Sequence, residues 1–302
     1  MNTEIIGIIV MFVATLLLAI PLGKYIAKVY SGDRLWTDAV LNPVERLFFR
    51  LSRIDPGKEM NWKQHLVALL TINLIWFLWA MFCLTNQSWL PWNPDHNASQ
   101  TPDLAFNTAT SFLVNCNLQD YSGETGASYF TQVFALMFLQ FVSAATGMAA
   151  AAIVFNALRD RTTEKLGNFY NYFLKSMTRI LLPICIVVGA LHAFHGTPMT
   201  FKGIDNVISM QGDTMHVSRG PVAGFVAIKH LGTNGGGFYG ANSAHPLENP
   251  DYFTNMLQMI IQILIPFAMV FAMGIYLRKK RLAWVFWGGY DCWVPVPGYP
   301  DN

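Results

Sequence analysis

The run Leu231-Gly232-Thr233-Asn234-Gly235-Gly236-Gly237-Phe238 places four glycines, a hydroxyl and a side-chain amide within eight residues. A short apolar segment, Pro221 to His230, precedes it, and a long one, Tyr252 to Leu277, follows. Short helix, glycine-rich backbone and spanning helix form the layout of a potassium-channel pore loop, where main-chain carbonyls replace the hydration shell of a dehydrated ion. On this reading Gly232, Gly235, Gly236 and Gly237 adopt positive φ at little steric cost, so that carbonyls turn toward an axis. Thr233 adds a hydroxyl oxygen, and the short helix directs the negative end of its dipole at the cation. A glycine loop with no ligand fits the octapeptide taken alone equally well. The flanking elements favour the pore loop, because irregular backbone at membrane depth is tolerated only where it lines a cavity or is buried in protein.

A second stretch repeats the pattern. Val114-Asn115-Cys116-Asn117 aligns with Leu231-Gly232-Thr233-Asn234 at an offset of 117 residues, and Tyr129-Phe130-Thr131-Gln132 aligns with Tyr252-Phe253-Thr254-Asn255 at an offset of 123. Each unit reads as span, re-entrant helix, filter-like loop and span. The expected site is therefore Asn115, Cys116 and Asn117 from one loop with Gly232, Thr233, Asn234 and Gly235 from the other. Cys116 stands where the second loop has Thr233, and there only its main-chain carbonyl need serve; ordinary packing of this cysteine fits as well.

The elements that must hold these loops are membrane spans. Of 302 residues, 53% are hydrophobic and 13% charged, against about 25% charged in a typical soluble domain. The net charge of +2 gives no basic face for nucleic acid. A spanning helix needs about 20 apolar residues, and five segments qualify: Ile5–Ile26, Leu66–Leu84, Phe130–Phe155, Phe173–Phe194 and Phe253–Tyr276. Leu104–Val114 and Pro221–Leu231 are too short and read as re-entrant. The first span lacks the basic flank of a signal peptide and exceeds its usual core. The fold class is all-α integral membrane: an extra N-terminal helix (1–30), a loop (31–65), a first membrane–pore–membrane repeat (66–155), a loop (156–172), a second repeat (173–277) and an atypical tail (278–302). Residues 24–63 hold eight Lys or Arg, 64–158 hold none, and Arg278-Lys279-Lys280-Arg281 follows the last span. The positive-inside rule then puts the N-terminus outside, the loops at 27–65, 156–172 and 278 onward in the cytoplasm, and both short helices on the outer side. Alternation over Met210–Val217 in the outer loop reads as a small hairpin.

Other polar residues keep two readings each. Lys229 and His230 adjoin the second loop; a cation in the pore would repel the ion, so they are expected behind the short helix or at its last carbonyls. Asp120, Glu124, Glu248 and Asp251 either concentrate cations at an outer mouth or are solvated loop charges. Pro21, Pro183 and Pro266 lie inside spans, where proline is tolerated. His192, His195 and His245 would be the residues of an integral-membrane enzyme, although their spacing matches no metal-ligand motif. Cys83, Cys116, Cys185 and Cys292 show no redox or metal spacing and read as unpaired.

The chain resembles the channel-like A subunits of bacterial Kdp potassium-importing ATPases. The likeness is carried by G-P-V-A at 220–223, L-G-T-N-G-G-G-F at 231–238, A-N-S-A-H-P-L-E-N-P at 241–250, N-T-A-T-S-F-L-V-N-C-N at 107–117, Y-S-G-E at 121–124 and E-M-N-W-K-Q at 59–64, and runs to about Arg281. Cys116 and Tyr239-Gly240 depart from the family pattern. The resemblance implies a multi-pass protein of the bacterial inner membrane, potassium as cargo, no organic cofactor, and Asn115–Asn117 and Gly232–Gly235 as filter segments. The chain has no G-x-x-x-x-G-K-[ST] loop and no D-K-T-G-T motif. ATP binding and hydrolysis are then expected in a P-type ATPase B subunit, with a C subunit and a small F peptide completing the complex. The family carries four repeats around one pore and this chain shows two. The stretch after Arg281 offers only six apolar residues before Gly288-Gly289, which reads as a truncated or frameshifted frame. A non-transporting fragment that only binds partner subunits is the remaining alternative.

Overall fold

The computed structural model describes residues 3–160 and 164–291; Arg161, Cys292 and the last residues of the tail fall outside them. Among the described residues five helices are long and apolar enough to cross a membrane. They are α1 (Thr3–Ser31), α3 (Trp62–Asn86), α5 (Tyr129–Arg159), α6 (Phe169–Phe194) and α8 (Tyr252–Tyr276). Between them lie α2 (Asp38–Ser52), α4 (Pro102–Leu113) and α7 (Val222–Leu231), and α9 (Lys280–Asp291) follows the last span. The chain is an all-α integral membrane protein with one small hairpin. That hairpin joins β1 (Ile204–Ile208) to β2 (Thr214–Ser218), antiparallel with Ile204 opposite Ser218. It begins earlier than the alternation over Met210–Val217 indicates, because Ser209–Asp213 form the turn.

Helix starts are written into side chains. Asn61 accepts from the Gln64 amide N–H while Gln64 accepts from that of Asn61, closing a capping box at α3. Asp251 and Thr254 do the same for α8. The outer flanks of α1 and α3 leave Leu17, Leu18, Val67 and Ile75 exposed, which a bilayer covers and water would not. On the inner flank α1 crosses α8 closely. A Cβ at Gly23 would lie 2.7 Å from both the Ala268 carbonyl and Phe271 Cβ, the small-residue contact that lets membrane helices approach. Two spans contain a π-helical turn, Gln132–Met137 in α5 and Ser176–Leu181 in α6.

The stretch 31–65, expected to be a loop, contains the fifteen-residue helix α2. Its polar face is bound to the membrane domain. Arg179, in the π turn of α6, holds Glu45 with two bonds of 2.7 and 2.8 Å, Asp38 at 2.6 Å and Asn42 at 2.6 Å. Arg179 and Glu45 are both buried. Asp38 is held below the usual carboxylate range, first by the Leu35 N–H and then by Arg179.

Two outcomes follow from this tether. Arg179→Met strands a buried Glu45 carboxylate and should destabilise the chain by about 3–5 kcal/mol, while Arg179→Met with Glu45→Met should recover most of it, read as thermal unfolding in detergent. Asp38 has a folded pKa lower than its unfolded value of about 3.9. It therefore stabilises the fold above that value and loses its contribution as pH falls through the lower one. Between about pH 5 and 3 the melting temperature of Asp38→Asn should fall less steeply than that of the wild type.

Candidate functional site

Both short helices end where a loop turns back. At the end of α4 the Ser111 carbonyl accepts from the amides of both Cys116 and Asn117 at 3.0 Å, and Ser111 Oγ accepts from Leu118 N. At the end of α7 Gly232 N donates to Ile228 O at 2.7 Å and Asn234 N to Lys229 O at 2.8 Å. Each loop therefore sits against the carbonyl end of a helix, where roughly half a negative charge favours a cation. Among the described residues, no hydrogen-bond donor reaches the main-chain oxygens of Asn115, Cys116, Asn117 or Asn234.

The two loops meet through positions related by the 117-residue offset. Asn117 Nδ2 donates to Asn234 Oδ1 at 2.8 Å, and Asn115 Nδ2 donates to Gly232 O at 3.1 Å and Thr233 Oγ1 at 3.2 Å. Span α5 supplies the remaining partners. Ser143 Oγ donates to Asn115 Oδ1 at 2.8 Å, and Gln140 Nε2 donates to Asn117 Oδ1 at 3.0 Å and Gly236 O at 2.7 Å. Downstream, Gln119 accepts from Gly237 N, Gln132 donates to Phe238 O, and the Gly235 carbonyl accepts from Asn242 N. All seven expected site residues thus lie in one assembly, with Asn117 and Asn234 buried and Cys116 exposed.

The glycines act differently from expectation. None of Gly232, Gly235, Gly236 and Gly237 has positive φ; in the two loops that conformation falls on Asn115 (63°), Asn117 (57°) and Thr233 (57°). Asparagine tolerates it, and its amide is repaid in contacts here. The glycines are needed for close approach. A Cβ at Gly232 would meet Asn234 Nδ2 at 2.4 Å, at Gly235 Cys116 O at 3.1 Å, and at Gly236 Phe112 Cζ at 2.7 Å. At Gly237 it would lie 2.5 Å from both Glu248 Oε1 and Lys229 Nζ.

Lys229 and Glu248 form a buried ion pair of 3.1 Å, each 1% exposed. Lys229, expected behind the short helix or at its last carbonyls, instead has its ammonium beside Gly237 of the loop, and Glu248 is not at a solvated mouth. It is enclosed with the lysine, and its Oε1 also accepts from Tyr239 N at 3.1 Å. His230 bonds Gln262 and Ser243. Asp251 caps α8, its carboxyl held below the usual range by the Thr254 N–H and then by His195. Asp120 is exposed and accepts from Asn107, and Glu124 accepts from Ser122. His192 is buried, His195 pairs with Asp251, and His245 stacks on Tyr239. Among the described residues no group of His, Cys, Asp or Glu is placed to hold a metal, and Cys83, Cys116 and Cys185 are free thiols. Under the loops lies an open-sided, mainly apolar cavity of about 630 Å³, bounded by Asn115, Gly232, Thr233, Ser143, Leu231 and Pro266.

The family model described as potassium-transporting ATPase A subunit matches residues 9–293. The chain belongs to this family. A relative from Flavobacterium johnsoniae is 62% identical over 288 residues, covering 95% of this chain and 50% of its own length. One from Flavobacterium psychrophilum is 60% identical with the same coverage. One from Alicyclobacillus acidocaldarius is 46% identical over 280 residues, covering 92% of this chain and 50% of its own length. Each is named potassium-transporting ATPase potassium-binding subunit. The chain spans about half the length of the curated relatives it matches. As a member of the A-subunit family it matches beyond Arg281, where the sequence likeness was expected to stop, and α9 lies within the matched region.

Gln140, Ser143, Gln132 and Gln119, which hold the A-subunit loops together, were not singled out from the sequence. For Gln132, Gln140 and Ser143 the available signal was a polar side chain inside an otherwise apolar span, a pattern that marks function or a satisfied buried contact; Gln119, in the loop before that span, carried no such signal. Gly237→Ala forces a methyl group into the Lys229–Glu248 pair and should cost about 1–3 kcal/mol. Gly7→Ala, with nothing within 4 Å, should leave the unfolding temperature in detergent unchanged.

Proposed function

We propose that the chain forms one side of a potassium-selective translocation pathway, as part of the potassium-binding subunit of an ATP-driven import complex. Its two membrane–pore–membrane units, 66–155 and 173–277, each contribute one wall. The main-chain carbonyls of Asn115, Cys116 and Asn117, with those of Gly232, Thr233, Asn234 and Gly235 and the Thr233 hydroxyl, replace the water of a dehydrated ion. The carrying observation is that two helix ends bring together two loops in which the carbonyls of Asn115, Cys116, Asn117 and Asn234 are unengaged, tied to each other by Asn117 and Asn234. The names of the relatives support potassium as the ion.

Two loops supply two walls of a four-walled filter, so translocation requires two further loops besides those of 66–155 and 173–277. ATP is bound and hydrolysed by a P-type B subunit, with a C subunit and a small F peptide completing the assembly. The complex lies in the bacterial inner membrane with the N-terminus of this chain outside. The loop carbonyls take no part in covalent chemistry, so no catalytic residue and no organic cofactor is assigned. The second reading is a chain that binds partner subunits without transporting.

Potassium uptake in a transport-deficient strain distinguishes these readings. With the remaining half and the partner subunits co-expressed, the chain should restore uptake. Gly232→Asp should reduce it about tenfold or more, a loss of at least ~1.4 kcal/mol of ion stabilisation. Uptake indifferent to that substitution would remove the filter assignment. Absence of uptake with every partner present would leave the second reading.

A further inference from the structure

Helix α2 has three sides with three chemistries. Glu45, Asp38 and Asn42 face the membrane domain and are held by Arg179. Val40, Val44, Leu47, Phe48 and Leu51 recur at helical spacing, and at about 100° per residue they form one stripe. Every residue of this stripe is exposed, from 43% for Val44 to 73% for Leu51, and Trp36, just ahead of the helix, is 88% exposed. Arg46, Arg50 and Arg53 lie on the third side and are exposed.

The occupant of the stripe follows from where the helix is held. Span α1 ends at Ser31 and span α3 begins at Trp62, so the segment between them starts and finishes at one membrane face. Arg179 lies nearly three turns into α6, which begins at Phe169 at that same face. Its bonds to Glu45, Asp38 and Asn42 hold α2 against the first half of that span. The exposed apolar stripe lies on the side of α2 away from this contact, with the exposed arginines between the two. An apolar stripe, a basic row and an interfacial tryptophan describe a helix lying in the plane of a membrane.

We propose that α2 is an in-plane anchor whose Val40–Leu51 stripe enters the acyl boundary of the leaflet and whose Arg46, Arg50 and Arg53 bind the phosphates of anionic phospholipids. The guanidiniums are complementary to phosphate oxygens, and Arg46 and Arg50 flank the C-terminal half of the stripe, with Arg53 at the helix end. This role is independent of the filter assignment, since it needs only the α2–α6 tether and the position of the spans.

The test uses the full chain in lipid nanodiscs, with native cysteines replaced and single nitroxide labels introduced through Val44→Cys, Leu51→Cys, Arg46→Cys and Arg50→Cys. Labels at 44 and 51 should be relaxed by oxygen and shielded from a water-soluble nickel chelate, and labels at 46 and 50 should show the reverse. Native mass spectrometry should show R46Q/R50Q/R53Q retaining phosphatidylglycerol at least about twofold less than wild type, with phosphatidylcholine retention unchanged. Labels at 44 and 51 open to the nickel chelate would mean the stripe faces water. Shielding from both reagents would mean that protein covers it. Either result, or unchanged phosphatidylglycerol retention in the triple variant, would overturn the proposal.

Discussion

A loop that leaves helical geometry inside a bilayer must satisfy its own polar groups, because hydrocarbon offers no water to replace them. In this chain side-chain amides meet part of that requirement. Asn115, Asn117, Asn234 and Gln140 form a connected set in which each amide holds the next or holds a main-chain oxygen of the facing loop. Such a set rigidifies a core only when it is nearly complete. It fixes the distance between two helix ends that the chain separates by more than a hundred residues, and the remaining carbonyls are left pointing elsewhere by exclusion. The spans and their caps serve to bring these few amides into reach.

The two units use one plan with different materials. At the 117-residue offset Phe112 of α4 corresponds to Lys229 of α7. The phenyl ring would meet a Cβ at Gly236, and the ammonium would meet one at Gly237. Both side chains thus come up against the same glycine run. A lysine in this position would be prohibitive alone; with Glu248 supplied from the segment after the loop, the pair is neutral and the packing holds. Removing one member therefore does more harm than replacing both.

The spans and the two short helices were legible in the sequence because each follows from apolar run length. The meeting of Asn115–Asn117 with Gly232–Gly235 was legible from the repeat. The role of the glycines was not. Glycine permits both positive φ and close approach, and only the positions of Phe112, Lys229 and Cys116 decide between them. Glu248 could not be placed because its partner is nineteen residues away on a helix. Helix α2 was hidden because half of its surface is polar and its anchoring residue, Arg179, lies in another span. Polar residues such as Gln140 carried a signal, but their partners are set by tertiary contact.

The neutrality of the Lys229–Glu248 pair bears on how far the loops can act. A net charge beside a pore is felt many ångströms away and attracts every cation in proportion to its charge. Oriented carbonyls and helix ends present dipoles, whose field decays faster and is strong only at contact. A wall built this way is nearly silent toward an ion that keeps its water. On the proposed function it acts only on one that has shed that water, and the choice between ions would then be made at the distance where their radii differ most in effect.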